Sequence, residues 1–388
     1  MARELLFAFL LLFLFVRPVL KYIEYVHGVL RVNFSVVFFL IAVSYLFIKY
    51  VVNRGSLQKI KKGTLVIGSV LLYILFVQLI QIPIIIHQCE ECVRPLAVTL
   101  SSTFFGYILF FFLGFEIFSI MRRKRNQVMI LISWFVFLVV VLVNTVSSSK
   151  GFMLNLEGEM IYLMLADSFA LLSLLALVVV RRSYVSFLLF VLSSLVLFLL
   201  LSRTSLYLFV IAGGLLLFRK YPLASVLLLL FLITTLVFYF EINFDTIKNN
   251  RMLRFLLTGK DASWSQRGEL LSEGIVHLKE NWLFGEYLWE VKSSQGKTGG
   301  YIHNFLSVMN QFGFLPFFFL ILTGVIIYLN AVVQFFKSRR SEALLFFSLT
   351  TFVFLSIAIS RSYQVAYMWL PFTMSYTYFK LKRIDVSK

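Results

Sequence analysis

Long apolar runs alternate with short polar segments along most of the chain, and these polar segments are rich in lysine and arginine. A helix needs about 20 residues to cross the hydrocarbon core of a bilayer. A lipid-exposed segment must also satisfy its own backbone hydrogen bonds, which favours helices. The pattern therefore predicts an all-α polytopic membrane protein with about twelve transmembrane helices. Their approximate bounds are residues 4 to 20, 33 to 52, 64 to 86, 96 to 120, 127 to 146, 159 to 180, 184 to 202, 204 to 218, 222 to 242, 304 to 335, 343 to 360 and 362 to 379.

The composition excludes a soluble globular protein. Of the 388 residues, 60% are hydrophobic and only 14% are charged, whereas soluble domains carry roughly 25% charged residues. The predicted helices use most of the chain, so little of it is left for a folded domain outside the bilayer.

The distribution of basic residues predicts the topology. The chain carries 36 Lys+Arg against 18 Asp+Glu, and in membrane proteins lysine and arginine concentrate in cytoplasmic segments. Basic clusters occupy alternate connections, as at 122–125, 181–182 and 219–220. This alternation places both termini in the cytoplasm and the long loop 243–303 on the opposite side. Topology then explains most of the net charge, and no nucleic-acid partner is expected.

The chain divides into three parts. Residues 1–242 hold helices 1 to 9, residues 243–303 form the long outer loop, and residues 304–388 hold helices 10 to 12 and a cytoplasmic tail. The loop is predicted to be partly helical, because the spacing from Ser263 to Gln266 is that of a capping box. A helix should follow to about Lys279. Its predicted apolar face consists of Leu270, Leu271, Gly274, Ile275 and Leu278.

Several arginines stand at positions where a cation needs an anionic partner. Arg203 and Arg361 lie in the similar turns Ser202-Arg203-Thr204 and Ser360-Arg361-Ser362, which form outward tips of two hairpins. Arg267 shares the apolar face of the loop helix. The alternatives are interfacial anchors for Arg203 and Arg361 and an internal salt bridge for Arg267.

Other polar residues occur on the same predicted side. Asp167 lies inside a predicted span, about two turns from its outer end, where an ionisable group is costly and often functional. It either reaches an outer site or forms an internal pair. His303 and Asn304 stand where the chain re-enters the membrane, and the alternative for His303 is an interfacial polar residue. Cys89 and Cys92 have a spacing that suits a local disulfide or two free thiols better than a zinc site.

The second half of the chain carries an ordered set of motifs. They are Ser202-Arg203-Thr204, Gln266-Arg267-Gly268-Glu269-Leu270, Asn281-Trp282-Leu283-Phe284-Gly285, His303-Asn304-Phe305-Leu306 and Gln311-Phe312-Gly313-Phe314-Leu315. In this order they resemble the bacterial O-antigen polymerase and O-antigen ligase superfamily, integral-membrane glycosyltransferases that act on undecaprenyl-diphosphate-linked glycans. The family usually has Pro-x-x-Gly-x-Gly after the loop helix, whereas here Trp282 replaces the proline and Tyr287 the second glycine.

The resemblance implies an enzyme of the bacterial inner membrane whose catalytic loop faces the periplasm. It implies an undecaprenyl-diphosphate-linked oligosaccharide and membrane lipid as partners, a chain-length regulator protein as a further partner, no cofactor and no metal. Arginine suits a departing diphosphate because it presents a fixed fork of charged donors, and histidine suits an acceptor proton. We therefore expect the catalytic residues to be Arg267, His303 and Arg203. The expected substrate-binding residues are Arg361, Arg254, Asn304 and Asp167.

Three functions remain open on these residues. An O-antigen polymerase joins lipid-linked repeat units, whereas an O-antigen ligase transfers the glycan to lipid A core. A lipid-linked oligosaccharide flippase or other transporter belongs to a different class. Transporters tend to show two related halves with broken helices near the midplane, whereas the polar residues here gather in one outer loop. This distribution favours a transferase over a transporter. Residue types alone do not separate polymerase from ligase, and the polymerase is the hypothesis adopted here, with the ligase as the nearest alternative.

Overall fold

The computed structural model describes residues 2–27, 62–88, 93–148, 151–154, 161–227, 262–293, 302–362 and 364–386. The predicted span 33–52 and most of the span 222–242 lie outside these ranges. Arg254, Cys89 and Cys92 also lie outside them.

The described residues are predominantly helical, as the apolar pattern predicts. The helices are α1 Ala2–Leu11, α2 Arg17–His27, α3 Lys62–Gln88, α4 Val93–Met121, α5 Lys124–Val143, α6 Ile161–Val179, α7 Ser183–Leu199, α8 Arg203–Lys220, α9 Ala262–Asn281, α10 Trp289–Ser293, α11 Leu306–Phe312, α12 Phe314–Lys337, α13 Ser341–Ile359 and α14 Leu370–Val386. A π-helical turn, Leu12–Val16, joins α1 to α2, and a 3-10 turn, Ala366–Trp369, precedes α14. One antiparallel hairpin, β1 Thr145–Ser148 and β2 Gly151–Leu154, follows α5 and pairs Thr145 with Leu154.

Five helical segments within the described residues are long and apolar enough to cross a membrane. They are Glu4–Ile23, Lys124–Val143, Tyr162–Val179, Phe314–Lys337 and Ser341–Ile359. Large apolar side chains on these helices are exposed, among them Phe135, Phe318 and Leu329. Water would not tolerate so much exposed apolar surface on a monomer, and lipid does. The protein is therefore a helical membrane protein, while the count of twelve spans stays a prediction.

The most enclosed of these segments are α6 and α13. Both have a larger buried share than α5 or α12, and α13 buries a nearly continuous run from Ala343 to Val353. Helix α6 is buried from Leu165 to Val178. A helix that is apolar all round belongs in the interior of a bundle, so these two helices form the centre on which the candidate site is built.

Two local predictions were wrong. The segment predicted as one helix over 304–335 is divided at Gly313, whose φ of +84° lies in a region that side chains avoid. The loop helix runs from Ala262 to Asn281, and the side chain of Ser263 lies outside the described residues, so the capping box stays a prediction. On that helix Ile275 is exposed, whereas His277 is buried among the apolar positions.

Candidate functional site

A buried polar network surrounds Asp167 near the start of α6. Arg361 holds the carboxylate with two charged bonds, from Nε to Oδ2 at 2.8 Å and from Nη2 to Oδ1 at 2.7 Å. The hydroxyls of Ser205 and Tyr367 also donate to it, at 2.6 Å and 2.8 Å. Ser202 Oγ lies 2.7 Å from Ser205 Oγ. We call these five residues the Asp167 cluster.

The cluster joins the two Ser-Arg turns that the sequence singled out. The turn between α7 and α8 is tight, because Leu201 adopts a φ of +55°, a conformation that costs a non-glycine residue roughly 1–2 kcal/mol. It sets Ser202 and Ser205 against the carboxylate. Arg361 is only 5% exposed, so it is not an interfacial anchor. It forms the internal pair that was one of the two alternatives for Asp167.

A cavity of about 290 Å³ opens beside the Asp167 cluster. Asp167, Arg361 and Tyr367 line one part of it, and Ser362 and Gln364 continue the wall. The first residue of α2, Arg17, also lines it. The Nε of Arg17 is buried and has no hydrogen-bond partner among the described residues. A cation of this kind beside a polar cavity favours an anionic ligand there.

His303 lies beside the C-terminal end of α13. Its Nδ1 is 3.1 Å from the backbone oxygen of Ser360, the residue that precedes Arg361. A carbonyl oxygen can only accept, so this contact puts the proton on Nδ1 and leaves the lone pair on Nε2.

The charge state of His303 follows from its surroundings. Burial lowers its pKa from 6.5 to about 4, and the nearby positive charges of Arg267 and Arg361 act in the same direction against the Ser360 hydrogen bond. His303 is therefore neutral at physiological pH and able to accept a proton. His303 thus experiences the positive charges of two arginines from distant parts of the chain, Arg267 and Arg361.

Helix α9 brings Arg267 to this position by close packing. A Cβ on Gly274 would lie 2.3 Å from Cδ1 of Ile302, so α9 approaches the segment before His303 as only a small residue allows. Arg267 is half-buried and lies two turns before Gly274. The predicted apolar face of α9 thus makes this contact, and the same helix carries the arginine whose charge lowers the pKa of His303.

A second polar network anchors the other end of α9. His277 Nδ1 is 2.6 Å from Oδ1 of Asn310 on α11, and Nε2 is 2.9 Å from Oε2 of Glu286 and 3.0 Å from Nδ2 of Asn281. The ring also stacks on Trp289, with centroids 4.3 Å apart. This arrangement fixes the helix that carries Arg267. His277 was not predicted to be functional, because its position on the apolar face of the helix was the only indication in the sequence.

Acidic groups near this network have shifted pKa values. Burial raises the pKa of Glu290 to about 7, and Gln311 donates its side-chain amide to this carboxylate. For Glu286 burial acts to raise the pKa, but the hydrogen bonds from Lys292 and His277 outweigh it and the pKa is lowered. Glu286 is therefore ionised beside Lys292, which lies 2.9 Å away.

Two glycines connect the motifs after α9 and α11. Gly285 and Gly313 both have positive φ, +68° and +84°. A Cβ on Gly313 would lie 2.1 Å from the oxygen of Leu283, and one on Gly285 would lie 2.6 Å from the nitrogen of Gly313. The Phe314 amide donates to that Leu283 oxygen at 3.2 Å. The two motifs thus form one backbone contact that closes the loop onto the membrane helices.

Gly313→Ala is expected to destabilise this contact. The conformation of Gly313 alone should cost alanine about 1–3 kcal/mol, and the clash with Leu283 adds to it. Gly268→Ala is the control, because nothing lies within 4 Å of its Cβ position and alanine favours a helix by roughly 0.5–1 kcal/mol. Melting in detergent should fall for the first variant and not for the second. Equal melting temperatures would refute the close contact.

The remaining predicted site residues, Asn304 and Arg203, make contacts of their own. Asn304 accepts from the Leu306 amide at 2.9 Å, so its side-chain oxygen caps the start of α11. Arg203 is half-buried at the first residue of α8, between Ser202 and Ser205. Three residues were not predicted from the sequence, because none of them stands in a motif. Ser205 and Tyr367 acquire their meaning through contact with Asp167, and Arg17 through its place on the same cavity. Within the described ranges, no group of three His, Cys, Asp or Glu side chains is placed to hold a metal ion.

The comparisons with known proteins identify no family for this chain. No protein-family model matches it, and no curated protein matches it. The case for a function therefore rests on the residues and contacts described above.

Proposed function

We propose that this protein is an O-antigen polymerase of the bacterial inner membrane, which joins undecaprenyl-diphosphate-linked oligosaccharide units at the periplasmic face. The observation that carries the proposal is the convergence of Arg267, His303 and Arg361 at one end of the bundle. These residues come from three motifs far apart in sequence. Together they combine a neutral histidine with a permanent cation, Arg267, and with Arg361, whose ion pair with Asp167 fixes the site; a base and a cation are what transfer from a lipid diphosphate requires.

The reaction assigns a separate role to each group. The acceptor sugar hydroxyl loses its proton to Nε2 of His303 and attacks the anomeric carbon of the donor glycan. The bond between that carbon and the diphosphate oxygen breaks with its electron pair, and undecaprenyl diphosphate departs. Arg267 neutralises the charge that grows on the departing diphosphate, and Arg17 and Arg203 are further candidate cations for the same group.

Asp167 and Arg361 act as positioning residues in this proposal. Their ion pair holds the chain at the end of α13, where the Ser360 oxygen accepts from His303. That bond selects the tautomer with a lone pair on Nε2. A loss of the pair would therefore disturb the histidine even though neither residue transfers the proton.

The alternatives differ in what happens to the glycan. A ligase would use the same donor and the same cations but transfer the chain to lipid A core. A flippase would move the lipid-linked unit without breaking a bond. A neutral histidine held by a backbone carbonyl beside an arginine favours bond-breaking chemistry, so we place both transferases before the transporter.

Arg267→Lys is expected to impair polymerisation nearly as much as Arg267→Ala. Lysine keeps the charge but loses the planar fork of donors that matches a diphosphate. Lys279→Ala, an exposed change on the same helix, should leave activity unchanged. The measurement is the glycan ladder on a gel, with expression matched by immunoblot. A full ladder from Arg267→Lys would remove Arg267 from the proposed diphosphate site.

The proposed orientation predicts which positions a membrane-impermeant thiol reagent reaches from outside. In a variant with Cys89 and Cys92 replaced by serine, Glu280→Cys should react and Lys124→Cys should not. Both side chains are exposed, so access depends on the side of the membrane. Asn126 is a poor probe, because it is buried and donates to the Ile120 oxygen at 3.0 Å. Reversed labelling would overturn the orientation and with it the periplasmic site.

A further inference from the structure

A basic cavity lies at the end of the bundle opposite the Asp167 cluster. Its volume is about 400 Å³. It is formed where α4, α6 and α8 end and α13 begins. Five cations and one carboxylate line it: Arg122, Arg181, Arg219, Lys220, Arg339 and Glu342. From this cavity to Ser360, helix α13 rises by roughly 25 Å at 1.5 Å per residue, so the two sites are separated by most of the bundle.

Two of these cations are fixed by backbone groups at helix ends. Lys220 Nζ donates to the oxygens of Leu177 and Val180, both at 2.8 Å, and to that of Val178 at 3.2 Å, so all three of its N–H groups are used. Arg219 donates to the oxygens of Phe335 and Phe336, at 3.0 Å and 2.6 Å. Terminal carbonyls of a helix lack partners within it, so these bonds orient both side chains. A carbonyl carries no net charge, and the positive charge of the two cations is retained.

The carboxylate compensates only one cation. Glu342 pairs with Arg122 through Nε at 3.0 Å and Nη2 at 2.9 Å. Arg181 and Arg339 are exposed at the cavity, and neither forms an ion pair with a carboxylate of the described chain. The cavity therefore keeps a surplus of positive charge, which an anionic ligand would offset.

The basic surface continues past the Arg122–Glu342 pair. A neighbouring cavity of about 320 Å³ shares both residues and is also lined by Lys337, Arg340 and Lys382. Both cavities lie at the ends of apolar helices, which in a bilayer is where lipid head groups are expected. Basic pockets of this kind between transmembrane helices are suited to lipid phosphates.

We propose that the basic cavity binds a phosphate ester, held by the donor forks of Arg181 and Arg339 and by the remaining donors of Arg219, with the fixed positive charge of Lys220 beside it. Guanidinium groups bind phosphate oxygens through paired, charged hydrogen bonds. The phosphate belongs either to an anionic lipid or to a soluble molecule, and the same chemistry serves both. The proposal does not depend on the polymerase function.

The test uses the full chain purified in dodecyl maltoside. Its melting temperature is followed while dioleoyl phosphatidylglycerol, dioleoyl phosphatidylcholine or inorganic phosphate is added. The variant Arg181→Gln/Arg339→Gln removes the two exposed cations. The control Lys124→Gln/Arg182→Gln makes the same charge change at exposed positions outside both cavities. If the first variant melts early without ligand, Arg339→Gln alone replaces it.

Phosphatidylglycerol should raise the melting temperature of the unmodified protein, and phosphatidylcholine should not. The concentration for half of the effect should rise on the order of tenfold in Arg181→Gln/Arg339→Gln and by less than about twofold in the control. The same contrast with inorganic phosphate would support the site and identify a soluble ligand. No response of the unmodified protein to either phosphate probe, or an equal loss in both variants, would overturn the proposal.

Discussion

His303→Ala is expected to stop chain growth and to leave lipid A core capped with a single repeat unit. Losing a general base typically slows a reaction by about 10²–10⁴-fold, and that loss would remove the ladder from a glycan gel. Ligation by a separate enzyme would still place one unit on the core. The measurement is a deletion strain complemented with the variant. His87→Ala is the control, since His87 is exposed on α3 and should restore the full ladder.

Different phenotypes would exclude different parts of the proposal. A deletion strain with bare core and long chains left on undecaprenyl diphosphate would identify a ligase. A normal ladder from His303→Ala would return this histidine to the role of an interfacial polar residue. In that case the proximity of Arg267 and Arg361 to His303 would not support a catalytic role.

The pH dependence of polymerisation should reflect the low pKa of His303. A base with a pKa of about 4 stays neutral from pH 7 to pH 5, so the rate should not fall in that range because of this residue. The same shift affects stability. Between pH 6.5 and about 4 the unfolded chain binds a proton at His303 that the folded chain does not. The folded state therefore loses stability as the pH falls through this range. A rate that halves near pH 6.5 would contradict the lowered pKa.

Asp167→Ala should be among the most destabilising single changes in the described chain. It removes the carboxylate from a buried pair and leaves Arg361 without it, which typically costs about 3–5 kcal/mol. Thermal melting in detergent should fall by several degrees, and polymer should disappear because the end of α13 no longer holds His303. The control is Arg125→Ala, which removes an exposed pair with Glu4 at 3.4 Å and should cost about 0.2–1 kcal/mol.

The double variant Asp167→Ala/Arg361→Met separates stability from function. Replacing both members of a buried ion pair with apolar residues is often neutral or stabilising, so much of the lost melting temperature should return. Activity should stay absent, because the ion pair that holds Ser360 in position is still missing. Recovery of both would mean that the pair serves only the fold. Unchanged melting of Asp167→Ala would contradict the buried pair itself.

The sequence by itself determined that the described chain is predominantly helical and where most of its apolar helices lie. In lipid each helix must satisfy its own backbone groups, so a run of apolar residues specifies the element without reference to the rest of the chain. The position of Arg267 on the contact face of α9 followed from helical periodicity for the same reason. The residues of this helix and its approximate end could be predicted, because helical periodicity is visible within a few turns of the sequence.

The tertiary structure decided which polar groups meet. Asp167 and Arg361 are 194 positions apart, and His277 and Asn310 are 33 apart. Local periodicity carries no information about such partners. The division at Gly313 also escaped prediction, because the close approach of the Leu283 oxygen, which leaves no room for a Cβ, comes from another segment. The site thus depends on contacts between distant segments, which only the packing of α6, α9 and α13 brings about.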